Sequence, residues 1–137
     1  MYLVDYTVYS RILTGLEGYM TAFEWVNKNV GGIYTLDTIY IDTVTYSYQL
    51  LKDYPVEFDE VFLRLSNVLR SLIESTVTNF IKYIDYVEEA MQLSTEMDLD
   101  PRDAIYYVAS RANGYRLVTM NRDLEGLDNV VILPIEG

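Results

Sequence analysis

The chain has no cysteine and no histidine, three prolines, seven glycines, and fewer than half as many basic as acidic residues. Without Cys or His there is no thiolate nucleophile, no imidazole base and no ordinary zinc site. Catalysis would have to draw on carboxylates, hydroxyls, Lys, Arg, or a hard metal held by oxygen ligands. The missing cysteines also remove any redox evidence, which leaves a cytoplasmic location as the default expectation. No apolar run reaches the roughly 18 residues needed for a helical membrane span. The opening MYLVDYTVYS (1–10) lacks a basic segment and carries Asp5 inside its apolar run, so a signal peptide is not expected. Positive charge is scarce: 10 Lys and Arg against 21 Asp and Glu give a formal charge of −11. Such a bulk field does not attract phosphate backbones, so handling nucleic acid would require a local metal ion or a partner.

The 137 residues fit a single domain spanning 1–137, long enough to bury a real core. Half of them are hydrophobic, which points to a globular chain rather than a disordered one. Fourteen tyrosines, beside the absence of His and Cys, suggest a thermophilic source. YLVDYTVY (2–9) reads as a short buried strand ending at Asp5. GLEGYMTAFEWVNKNVGG (15–32) reads as a helix closed by Gly31 and Gly32. IYTLD (33–37) suits a second strand. TIYIDTVTYSYQLLKDYP (38–55) suits a helix stopped before Pro55, despite strand-favouring residues, because Ile39, Asp42, Tyr46 and Leu50 share one face.

VEFDEVFLRLSNVLRSLI (56–73) carries an apolar stripe at helical period: Phe58, Val61, Phe62, Leu65, Val68, Leu69, Leu72 and Ile73. Residues 76–97 predict a short extended piece and then a helix from about Tyr83. DPRDAIYYVASRANG (100–114) is a capped helix, with Asp100 as N-cap, Pro101 at the first helical position and Gly114 past its end. YRLVTM (115–120) and NVVILPI (129–135) complete the strands. Helices alternating with short apolar strands predict an α/β chain, a Rossmann-like three-layer α/β/α sandwich on a short parallel sheet, with helices 57–73 and 83–97 as an inserted pair.

In such a sandwich, strand C-termini and helix N-termini share one edge, where ligands collect. Asp5, Asp42, Asp103 and Asn121 would all lie along it. Each has a plainer explanation. Asp103 completes a capping box with Asp100; Asp42 faces solvent if its helix is misassigned; Asp5 caps the turn toward Thr7; Asn121 and Asp123 are ordinary turn residues. Their convergence on one rim is harder to explain away.

YLVDYTVYS, with Asp5 and Thr7, resembles the opening motif of PIN-domain ribonucleases, the family that includes VapC-type toxins. LDTIYIDTVTYSYQLL (36–51) is similar to the second motif, with Asp42 as its inward acid. DLDPRDAIYYVASRANGYRLVTMNRDL (98–124) is the closest match, with Asp103, Ala109 and a strand ending in Thr119. The resemblance spans almost the whole chain and implies a PIN-like fold and a toxin-like, metal-dependent endoribonuclease that cleaves RNA. Clustered carboxylates would hold Mg²⁺ or Mn²⁺, which activates water and stabilises transition-state charge.

By this pattern Asp5, Asp42, Asp103 and position 121 are the catalytic and metal-binding positions, with Thr7 and Thr119 in support; Asp123, which the pattern does not place, stands two residues on as a partial substitute for the missing acid. Arg11 and Arg122 would contact substrate phosphate, a salt bridge being the competing role for each. The resemblance also implies a homodimer and an antitoxin partner. Two departures stand out: Asn121 occupies the place of a fourth acid, and Asp42 stands where the family usually has Glu. An inactive relative acting as a binding partner is the alternative. A phosphoacceptor receiver domain is a third class, but it would want adjacent acids after the first strand and a late Lys, and the last lysine here is Lys82.

Overall fold

Asp5 ends the first strand and begins the first helix, and that junction sets the position of the site. The computed structural model describes residues 1–54 and 58–135, without the side chains of 58–62. Among these residues five short strands, β1 (Tyr2–Val4), β2 (Ile33–Leu36), β3 (Asn79–Ile81), β4 (Arg116–Thr119) and β5 (Val130–Ile132), form one sheet in the order β3-β2-β1-β4-β5. Every pairing is parallel, with Leu3 opposite both Tyr34 and Leu117, and Thr119 opposite Ile132. The chain moves outward from β1 to β3 and then returns to β4 on the other side of β1. The gap between β1 and β4 is therefore the topological switch point, where open α/β sheets place their ligands.

Among the described residues six helices cover the sheet: α1 (Tyr6–Thr14), α2 (Tyr19–Lys28), α3 (Ile39–Leu51), α4 (Phe58–Thr76), α5 (Val87–Met97) and α6 (Pro101–Ala112). α1 packs on α2, α3 and α4, while α5 packs on α6. Right-handed crossovers put the first group on one face of the sheet and the second on the other. The expected α/β sandwich with a short parallel sheet is thus present.

α1 is absent from the sequence expectation. Tyr6 to Ser10 are all buried, so the helix has no polar stripe to reveal its period. Its start is fixed by Asp5, whose Oδ1 accepts the Thr7 N–H at 3.0 Å as an N-cap. α2 begins at Tyr19 rather than near residue 15, because Gly15 and Gly18 both adopt left-handed conformations between the helices. α3 is helical in spite of its β-branched residues. Its buried stripe is Ile39, Thr43, Ser47 and Leu51, with Asp42, Tyr46 and Leu50 half-buried beside it. The small hydroxyls at 43 and 47 let α1 come close, and Ser10 Oγ donates to the Thr43 carbonyl at 3.2 Å.

Along α4, Leu69 and Ile73 are buried, Leu65 and Leu72 are half-buried, and Val68 is exposed. The calls on Pro55, Phe58, Val61 and Phe62 fall outside the described residues or side chains. β3 separates α4 from α5, so these helices are not an inserted pair; they serve different layers. The extended piece expected after residue 76 is this edge strand, and the helix beyond it opens with a 3₁₀ turn at Tyr83–Tyr86. α6 matches its expected caps: Asp100 accepts the Arg102 N–H, and Gly114 is left-handed at φ +69°.

Candidate active site

β1 delivers Asp5 and β4 delivers Thr119 to neighbouring strand ends. The Asp5 N–H donates to the Val118 carbonyl at 3.1 Å, locking the two ends together. Thr7, in the first turn of α1, bridges them. Its hydroxyl donates to Asp5 Oδ1 at 2.5 Å and accepts the Met120 N–H at 2.8 Å. With that single proton committed, the 3.1 Å contact between the Thr7 and Thr119 hydroxyls has Thr119 as donor. Thr119 in turn accepts the Asn121 N–H at 3.0 Å. Asp5 is fully buried, and its other oxygen, Oδ2, has no hydrogen-bond partner among the described residues. Burial pushes its carboxyl up to about 7; the nearby charge of Asp103 adds to the rise, and the hydrogen bonds from the Thr7 hydroxyl and N–H oppose it.

Asp103 enters from the first turn of α6 and is buried. The Tyr6 hydroxyl donates to its Oδ1 at 2.5 Å, and the Asn121 side-chain amide donates to its Oδ2 at 2.9 Å. Burial raises the Asp103 carboxyl; the Tyr6 hydrogen bond and the Arg102 guanidinium oppose that rise. The Tyr6 phenol is pushed far up by burial and by the charges of Asp103 and Asp5, so it stays protonated as a donor. Arg102 lies over the Tyr6 ring, 4.5 Å from its centroid.

Asn121 is turned away from a ligand's pose. Its Oδ1 accepts the Asp123 N–H at 3.0 Å as an N-cap of the following 3₁₀ turn, which leaves the NH₂ facing Asp103. Asp123 is exposed and supplies that N–H as well as a charge sensed by Asp103.

Asp42 occupies an adjoining cavity of about 280 Å³. The Thr38 and Tyr106 hydroxyls each donate to its Oδ2 at 2.8 Å. Tyr6 packs edge-on against Tyr46, with centroids 5.2 Å apart, and tilted against Tyr106 at 5.6 Å. Among the described residues no three acidic side chains gather closely enough to hold a metal ion. The acids expected on one rim are therefore arranged as a coupled pair, Asp5 and Asp103, with Asp42 alongside.

Arg122 is exposed beside the rim, whereas Arg11 lies in the last turn of α1, where it donates to the Glu17 carbonyl at 3.1 Å. Neither forms an ion pair among the described residues. Tyr6, Arg102 and Tyr106 were not expected at the site. Tyr6 could not be placed without α1, whereas Tyr106, one turn beyond Asp103 on α6, had a readable position.

No protein-family model matches the sequence, and no curated protein does either. Solved structures do match by fold. A toxin–antitoxin complex from Klebsiella pneumoniae aligns over 96% of this chain and 96% of its own, with a TM-score of 0.67 and 16% identity. The Mycobacterium tuberculosis VapC20, a sarcin–ricin loop cleaving toxin, aligns over 98% of this chain and 100% of its own, with a TM-score of 0.75 and 16% identity. Across its whole length, this chain has the PIN-like fold that its motifs led one to expect.

Proposed function

We propose that this chain is a toxin-like endoribonuclease whose Asp5 and Asp103 hold a divalent cation, Mg²⁺ or Mn²⁺, against an RNA phosphodiester. The observation that carries this reading is the orphaned Oδ2 of Asp5, buried at the switch point beside a second carboxylate. A buried acid with an unsatisfied oxygen and a raised pKa is what a cation relieves, and Mg²⁺ commonly takes only one or two carboxylates together with water and phosphate. The residues present fit such an ion as a two-carboxylate site. When bound, it would supply a polarised water and charge stabilisation at the phosphate.

The chain's own groups do the rest. The Thr7 hydroxyl and N–H hold Asp5 in one rotamer, with Thr119 donating to Thr7 behind them, so Oδ2 keeps its direction. Tyr6 and Asn121 orient Asp103. Arg102, the guanidinium beside Asp103, suits an incoming phosphate oxygen, with Arg122 at the rim. The Asn121 oxygen stands behind a hydrogen bond of its own and would act on the ion through water, while Asp42, with two hydroxyls on one oxygen, lines the cavity alongside. The sarcin–ricin loop cleavage named for one structural neighbour agrees with an RNA substrate. Cleavage of RNA by wild type and by Asp5→Ala, with Mn²⁺ or Mg²⁺, tests the proposal; equal and negligible cleavage by both refutes it.

One observation favours the second reading, a weakened relative that acts by binding. Both Asp103 oxygens already hold protein donors, including the amide that replaces an acid. An antitoxin segment offering a basic side chain would suit the same acids, as the toxin–antitoxin neighbour suggests. A homodimer belongs to the same proposal, with the exposed Tyr19, Met20 and Phe23 of α2 as an available apolar face. So does a cytoplasmic setting; among the described residues, no helix is long and apolar enough to cross a membrane.

A further inference from the structure

We propose that the cavity beside the acid pair is a nucleobase subsite selecting guanine, read by Asp42; the ligand class rests on the ribonuclease reading above. Thr38 and Tyr106 both donate to Asp42 Oδ2, and Oδ1 takes no hydrogen bond from the described residues. A carboxylate offers about four lone-pair sites, so two remain open on Oδ1, and Asp42 lines the cavity. Guanine is the base whose Watson–Crick edge sets two donors side by side, N1–H and the N2 amino group. Adenine and cytosine each offer one amino group beside an acceptor, and uracil a single N–H between acceptors.

The walls suit a flat ring. Tyr83, at 36% exposure, and Ile105 line the same cavity, giving an aromatic face and an aliphatic one. Its volume of about 280 Å³ is near the lower end for ligand pockets, as a single base requires.

Two donors toward a carboxylate could also come from the guanidinium of a basic peptide. Arg102 decides between them. It lines the same cavity, so a cationic side chain entering there meets a like charge, whereas a neutral base joined to an anionic phosphate meets an attraction. Arg102 also reaches toward the acid pair, since it lies over Tyr6, which donates to Asp103. A nucleotide whose base sits against Asp42 thereby has its phosphate directed toward Arg102 and the Asp5–Asp103 pair.

Calorimetric titration of the four ribonucleoside 5′-monophosphates in metal-free buffer with EDTA tests this without any cleavage. GMP is expected to bind about tenfold or more tightly than AMP, CMP or UMP, the discrimination of a good paired contact. Asp42→Asn should erase the preference by setting an amide N–H against guanine's donors. Tyr83→Ala, an exposed position that the fold tolerates, should weaken all four nucleotides alike. The proposal is overturned if GMP shows no preference, if the preference survives in Asp42→Asn, or if N-acetylarginine amide binds more tightly than GMP. An RNase-inactive protein that still selects GMP refutes the nuclease reading alone, and active cleavage without GMP preference refutes only the subsite.

Discussion

Asp5→Asn should make the protein more stable at pH 8 and less stable at pH 4.5. The folded state holds the Asp5 carboxyl at about 7, against an ordinary value of 3.8, chiefly because burial disfavours its charge. Its folded pKa lies above its unfolded one. The contribution to stability is therefore fully present below about pH 4 and is lost as pH rises toward 7. Above that, the native state carries a penalty of about 4 kcal/mol on the ionised group.

The substitution removes this penalty and keeps the acceptor for the Thr7 N–H and hydroxyl, since the amide oxygen can take the place of Oδ1. Against that gain, an amide NH₂ now fills the place of Oδ2, which has no partner, at a cost of about 1–3 kcal/mol. The net expectation at pH 8 is a gain of about 2 kcal/mol, or roughly 6–8 °C in Tm. At pH 4.5 the wild-type carboxyl is largely neutral in the native state, the penalty has shrunk to about 1 kcal/mol, and the amide's cost outweighs it. Asp103 is raised in the same sense in both proteins, so it does not reverse the comparison. Urea unfolding at the two pH values in EDTA, with an unchanged denaturant slope, reads the effect directly. A uniform loss of stability at both pH values would show that Asp5 is not held against its charge.

Asn121→Asp exchanges a donor to Asp103 for a like charge; stability at pH 8 without metal should fall by about 1–3 kcal/mol, and Mn²⁺ should raise Tm more than in wild type. An equal response to Mn²⁺ in both proteins would remove the case that Asn121 weakens a cation site. Gly18→Ala should destabilise by about 1–3 kcal/mol. The added Cβ would stand 3.0 Å from the Ile135 backbone at a φ of +93°, and unchanged urea unfolding would mean that the Ile135 segment yields freely.

The parts of this fold that could be read from sequence are those where one face meets water. α6 announced itself by Asp100, Pro101 and Gly114, because exposed helix ends must satisfy their own backbone groups. β2 and β4 stood out as short apolar runs between polar turns. α1 did not, since a helix buried from Tyr6 through Ser10 presents the same apolar string as a strand. That one omission hid Tyr6, and with it the donor that organises Asp103. The offset on α3 has a related cause: its most buried positions after Ile39 are Thr43 and Ser47, which look polar in a sequence but are small enough for close helix packing.

Asp5, Asp42, Asp103 and Asn121 differ in which donors reach them. Asp42 has two hydroxyls on one oxygen, and Asp103 has a phenol and an amide on both. Asp5 has Thr7 on one oxygen and nothing on the other. Burying an unpaired carboxylate oxygen costs free energy that an apolar side chain at the same strand end would not. In a chain of net charge −11, neighbouring acids only increase that cost. The fold satisfies the buried acid of α6 with its own donors, yet leaves one oxygen of Asp5 without any among the described residues at the switch point of its sheet, which is the observation that the proposed cation site rests on. The Asp5→Asn comparison separates this from ordinary core packing, because only a site held against its own stability becomes more stable when its charge is removed.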